Sequence, residues 1–178
     1  MSVDKIPNTI LRQQRMKRML SAGFLEGSSF DTTSEEPLNW QMLLDVPEWC
    51  HWSPTRIERL ALVAGSVFTA PAVRLWIEST RVEEVQTIIG MELFQQIMSL
   101  EEMPNAVLDF PNDVNLRDSL LAAGASVLLC SIPHQCLRER MAYLVSEPSG
   151  VLPIVVAETL MQESLSLIES NDQVEEMV

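Results

Sequence analysis

The sequence predicts an all-α fold: a single compact domain of about seven to nine short helices, with a basic N-terminal segment and an acidic C-terminal helix and tail. Three observations carry that expectation. Apolar residues recur at helical spacing from Ile57 to Met98 and again from Leu116 to Ile168. Short-interval signals punctuate those stretches, with Pro just inside helix starts and Gly just past ends. No useful stretch alternates apolar and polar residues as a half-buried strand would. With 178 residues, 47% of them hydrophobic, the chain has enough apolar material for a core.

Asn8 to Ala22 has helix-forming composition, and Arg12, Arg15, Lys17 and Arg18 invite a membrane-surface reading. Its apolar residues argue against that use. At 100° per residue Ile10, Leu11, Met16, Met19 and Leu20 scatter around the helix, so a solvated or partner-docked basic helix is expected instead. Gly27 to Pro37 reads as a turn-rich linker, and Leu38 to Leu44 as a short helix stopped before Pro47. Trp40, Trp49 and Trp52 fall within 13 residues of each other, either as a partner-binding patch or as a lid over the edge of the core.

Ser53 and Pro54 give an N-cap and first helical position for a buried helix carrying Ile57, Leu60, Ala61, Ala64, Val67 and Phe68. Thr69 and Pro71 predict a second, shorter helix with Val73, Trp76 and Ile77 on one face and Arg74 on another. Thr80 and Glu83 form a capping-box pattern before Val82, Val85, Ile88 and Ile89, and Gly90 ends that helix before Leu93, Phe94, Ile97 and Met98 make another. Residues 53–100 thus read as a packing unit of four short helices.

Glu101 to Asn112, with two prolines, reads as an ordered loop. Asn112 or Asp113 is placed to cap a helix in which Leu116, Leu120, Ala123, Gly124 and Val127 share a face, Gly124 allowing a close helix approach. Ser131 and Pro133 restart the chain as a helix with Leu137, Met141, Leu144 and Val145 inward and Arg138, Glu139 and Arg140 outward. Pro153 opens a last helix with Ile154, Ala157, Met161 and Ile168 at helical spacing. The expected organisation is a basic helix and linker over 1–37, a helical domain over 38–170 and a frayed acidic tail over 171–178.

The formal net charge of −13, from 12 Lys and Arg against 25 Asp and Glu, argues against a nucleic-acid partner, because phosphate binding needs clustered cations. The charge is also uneven. Residues 1–27 hold Lys5, Arg12, Arg15, Lys17 and Arg18 against Asp4 and Glu26, a net +3 that leaves −16 for the remainder. Beyond Arg140 there is no basic residue, and the last 38 residues carry −7. No apolar run approaches the length of a membrane span and no signal-peptide pattern opens the chain, so a soluble cytoplasmic protein is expected. Three cysteines make no disulfide framework, which fits a reducing compartment.

Soft metal ligands fall in two clusters, Cys50-His51 and Cys130-x-x-x-His134-x-Cys136. Neither has the two-residue Cys spacing of a standard zinc finger, so the cysteines are read as small apolar residues and no metal or cofactor is expected. A Cys/His nucleophile lacks an oxyanion turn and an orienting carboxylate motif. Phosphate loops, paired metal-binding acids and a Ser-x-x-Lys pattern are absent. The residues therefore point to a non-enzymatic binding protein with no small-molecule substrate.

Two stretches carry a resemblance. LALVAGSVFTAPAVRLWIESTRVEEVQTIIGMELFQQIM, residues 60–98, and LLAAGASVLLCSIPHQCLRERMAYLVSEP, residues 120–148, resemble in pattern and order the type III secretion accessory family called SctK, YscK or HrpD, leaning towards the Hrp type of plant-associated bacteria. The resemblance implies a helical, non-enzymatic protein of the injectisome sorting platform, cytoplasmic and peripheral to the inner membrane through the secretion apparatus. Its implied role is to bridge the cytoplasmic domain of the inner-membrane ring protein to the pod protein. The residues themselves suggest two interfaces for such a bridge: Arg12, Arg15, Arg18, Trp49 and Trp52 on one, and Glu158, Glu163 and Glu169 on the other. The alternative is a cytoplasmic secretion chaperone that binds effectors, for which strands on the binding surface are expected.

Overall fold

The computed structural model describes residues 41–76, 78–100 and 115–175, together with Arg15, Lys17 and Ala22. Everything described is helix, turn or irregular chain, without a strand. Six α-helices succeed one another among the described residues: α1 (Pro54–Val73), α2 (Ser79–Ile89), α3 (Met91–Ser99), α4 (Leu116–Cys130), α5 (Gln135–Met141) and α6 (Ile154–Glu175). Short 3-10 turns at Met42–Leu44, Glu48–His51 and Ala142–Leu144 join them. Arg15, Lys17 and Ala22, the described residues of the expected N-terminal helix, are helical. Trp40, the 27–37 linker and the 101–112 loop lie outside the described residues.

Helix α1 begins as its sequence requires: the Ser53 hydroxyl accepts from the Arg56 N–H at 3.4 Å, and Pro54 occupies a position that needs no donor. Every residue from Leu60 to Ala70 is buried, so this helix is enclosed on all sides. Its main neighbour is α4, in which Ala123 to Cys130 are also buried without interruption. The two backbones meet at a pair of glycines. A Cβ at Gly65 would run into the Leu120 carbonyl, and one at Gly124 into the Ala61 carbonyl. Each glycine thus admits the turn of the other helix that lies four residues before its partner.

The wide apolar surface of this pair is covered from two sides. One cluster joins α1 and α4 to α5, α6 and the 42–50 segment through Leu60, Val67, Leu128, Leu137, Met141 and Ile168. A smaller one brings α2 and α3 against Leu62 and Leu120 through Val85 and Phe94. Buried hydroxyls are satisfied within their own helices: Ser66 donates to Leu62 O at 2.8 Å, Thr69 to Gly65 O at 2.8 Å and Ser164 to Leu160 O at 2.6 Å.

Several local expectations are corrected. Pro71 does not start a helix, because α1 continues through it to Val73, and the chain leaves the helix only at Arg74 and Leu75. Pro71 has no N–H to offer the Val67 carbonyl, and the helix ends two residues later. Residues 53–100 therefore hold three helices, not four, and the first of them, α1, packs chiefly on α4. The Thr80–Glu83 capping box does not form; Glu78 precedes α2 without a side-chain cap. Asn115, not Asn112 or Asp113, caps α4 by accepting from the Arg117 N–H at 3.0 Å. Ser131 donates back to Leu128 O at 2.8 Å and closes α4, leaving His134 before α5.

Arg138, Glu139 and Arg140 are half-buried instead of outward, and the Nε atoms of both arginines are buried without a hydrogen-bond partner. Ile154 is exposed. Helix α6 runs on to Glu175, with Asn171 buried, so helix continues well into the region expected to fray.

Gly90 behaves as expected, taking φ +91° between α2 and α3, a conformation open to glycine at little cost. Arg74 then does what no sequence pattern announced. Its Nη2 donates to the carbonyls of Met98 at 3.0 Å and Leu100 at 2.6 Å, placing a cation on the C-terminal end of α3.

The glycine crossing yields a direct test by urea unfolding. Gly65→Ala or Gly124→Ala is expected to destabilise by about 1–3 kcal/mol or more, because the colliding atoms are backbone and cannot swing away. Gly150→Ala, where an added Cβ meets nothing within 4 Å, is expected to stay within about 0.5 kcal/mol of wild type.

Candidate functional site

A groove forms where the 45–52 segment lies beside α6. Its apolar floor comes from Val46, Pro47, Trp49, Met161 and Leu165, and its volume is about 370 Å³. Asp45, Glu48, Glu158 and Glu169 stand around it, with Lys17 as the cation among the described lining residues. Among those residues, four carboxylates stand against one ammonium. The α6 contribution is a single stripe: Glu158, Met161, Gln162, Leu165 and Glu169 follow the i, i+3, i+4, i+7, i+11 spacing of one helix face. Ile154 and Val155 continue that stripe one turn towards the N-terminus, where both are exposed.

The opposite wall is held by local chemistry. The 3-10 turn Glu48–His51 follows Pro47 and turns Trp49 inward to 2% exposure, while Trp52 closes the turn half-buried. Arg56, one turn into α1, lays its guanidinium 4.0 Å from the centroid of the Trp52 ring. Asp45 meets His134 Nε2 at 2.8 Å, tying this segment to the start of α5. The Trp49 indole N–H, buried in the wall, has no hydrogen-bond partner.

The residues suggested by sequence are redistributed by this geometry. Arg12 and Arg18 lie outside the described residues, and Arg15 is helical and exposed. Trp49 and Trp52 line the same groove as Glu158 and Glu169. Of the two uses open to the tryptophans, the structure makes Trp49 part of the lid over the core. Glu163 stays apart: exposed, and about 140° around α6 from Glu158. Sequence reasoning missed Lys17, Asp45 and Glu48. The stripe from Glu158 to Glu169 was readable from its spacing, but its pairing with a segment more than 100 residues earlier was not.

A second, smaller hollow of about 290 Å³ is lined by Ile57, Ala61, Leu121 and Tyr143, with Glu58 at its edge bound to Arg117 at 2.6 Å. Burial, then the nearby Cys50, pushes the Tyr143 hydroxyl above its ordinary pKa.

The two soft-ligand clusters do not converge, and among the described residues no group of three or more His, Cys, Asp or Glu is placed to hold a metal ion. The cysteines are instead used one at a time in the core. Cys50 Sγ donates to Met141 Sδ at 3.3 Å, Cys136 Sγ to Met42 Sδ at 3.6 Å, and Cys130 Sγ accepts from the Leu152 N–H at 3.3 Å. Burial pushes the Cys50 thiol up to about 12, against an ordinary 9.0. A thiol held protonated is a poor nucleophile.

No family model, no curated protein and no solved structure matches the chain.

The raised Cys50 pKa sets the sign of an alkaline effect. Its contribution to stability is complete below pH 9, where the unfolded thiol is still protonated, and is lost as pH rises towards 12. Urea midpoints are expected to fall more steeply above pH 9 in wild type than in Cys50→Ala. At pH 8 a thiol reagent is expected to label all three cysteines of the unfolded chain, and none of them rapidly in the folded one.

Proposed function

We propose that the protein is a non-enzymatic adaptor of the bacterial type III secretion apparatus, bridging the inner-membrane ring protein to the pod protein of the cytoplasmic sorting platform. The observation that carries this reading is the joining of the two stretches that bear the family resemblance. Residues 60–98 contribute Gly65 and residues 120–148 contribute Gly124, and these glycines meet backbone to backbone. The resemblance therefore covers one packed unit and not two unrelated fragments.

The surfaces support a binding role. The groove combines an apolar floor with an acidic rim and an exposed apolar extension at Ile154 and Val155, a composition suited to a basic amphipathic segment of a partner. Glu163, on another side of α6, belongs in this reading to the second face that a bridge requires. The residues that could do chemistry are occupied structurally: Cys50 is a protonated core thiol and His134 is engaged by Asp45. No helix among the described residues is long and apolar enough to cross a membrane, so attachment to the inner membrane is assigned to the ring protein.

The test is capture from the native bacterium with tagged full-length protein, followed by mass spectrometry. The ring protein and the pod protein are expected together, and Glu158→Lys with Glu169→Lys is expected to reduce recovery of one of them at least fivefold while sparing the other. Recovery of a secreted effector alone would overturn the adaptor reading in favour of a chaperone. Charge reversal at Arg15 and Arg18 that leaves both partners bound would remove the N-terminal segment from either interface.

A further inference from the structure

We infer that the groove between the 45–52 segment and α6 is a seat for the basic N-terminal stretch of this chain that carries Arg15 and Lys17, which acts there as a tethered, displaceable competitor for a basic segment of a partner. The inference rests on the adaptor reading for its partner, and on the structure for its occupant.

Three observations name the occupant. Lys17 lines the groove among Asp45, Glu48, Glu158 and Glu169, and Ala22, five residues on, packs against the main core cluster. The segment that carries Lys17 also holds the densest positive charge in the sequence, residues 1–27 being +3 in a chain of −13. The other charged side chains among the described lining residues are four carboxylates, so sign and location agree. Attraction between like-sized opposite charges at a partly exposed rim orients a segment and speeds its encounter without locking it in place.

The seat is also incompletely filled, which makes the occupant exchangeable. Trp49 is 2% exposed and lines the groove, yet its indole N–H has no hydrogen-bond partner. A ligand that brought a carbonyl to that donor would gain a hydrogen bond. Ile154 and Val155 likewise stay exposed beside the same stripe. A longer amphipathic basic helix from a partner would cover them. Against such a ligand the tethered segment holds an effective concentration in the millimolar range, as expected for short linkers, so self-docking sets a threshold that only a better-fitting partner passes.

The experiment reads the segment in the full-length protein. Trypsin cleavage after Arg15 and Lys17 is expected to accelerate at least fivefold in Glu158→Gln with Glu169→Gln, while sites within the helical core stay protected in both proteins. A labelled peptide of residues 8–22, added in trans, is expected to bind full-length Arg15→Glu with Lys17→Glu at least tenfold more tightly than wild type, because the tethered copy no longer competes. Equal cleavage rates, or equal peptide binding by the two proteins, would overturn the inference. Capture of the ring and pod proteins, scored on the same variants, separates the two readings. Unchanged cleavage with both partners captured defeats self-docking alone, and accelerated cleavage with neither captured defeats the adaptor reading alone.

Discussion

Contact between two helix backbones at Gly65 and Gly124 is the constraint on which the rest of this fold depends. Helices whose side chains must interdigitate ordinarily sit 8–10 Å apart. Here each glycine removes the Cβ that would strike a carbonyl of the other helix, the Leu120 carbonyl in one case and the Ala61 carbonyl in the other. The approach brings the buried stretches of two helices, Leu60 to Ala70 and Ala123 to Cys130, into one unit, and it leaves apolar surface on both sides of that unit. Two separate covers are needed, which explains why the core divides into a larger cluster under α5 and α6 and a smaller one under α2 and α3.

Burial on this scale leaves little room for polar side chains, and the buried hydroxyls are satisfied locally. Ser66, Thr69, Ser126 and Ser164 each donate to a carbonyl one turn back, so no hydroxyl needs a long-range partner. Ser126 does more. It also accepts from the Gly150 N–H at 3.1 Å, which holds the 149–150 turn against α4 just before α6 begins. The course of α6, and with it one wall of the groove, thus traces back to a hydroxyl on the helix of the glycine crossing.

What could be read from the sequence depended on the range of the interaction concerned. Gly124 was legible as a close approach because it interrupts an otherwise apolar helix face; Gly65 was not, because in a run of small and apolar residues one more small residue carries no signal. Ser53 with Pro54 and Gly90 set their boundaries through neighbours within four residues, and both hold. Pro71 and the Thr80–Glu83 pair have the same local chemistry as a helix start, yet burial of Val73 and the packing of the flanking helices decide otherwise. The candidate site was legible only in halves. Trp49 and Trp52 stood out by clustering and Glu158 and Glu169 by charge, but the pairing of these halves is tertiary, and local periodicity assigns no neighbour across a hundred residues.

The charge distribution and the packing bear on each other at the groove. A chain of −13 that gathers four carboxylates around an apolar floor stores repulsion there, which a cation relieves and a further anion worsens. Lys17 relieves part of it within the chain. On the proposed reading, that surplus of negative charge is what favours a basic amphipathic segment over an acidic one, because an apolar floor alone discriminates little between amphipathic helices.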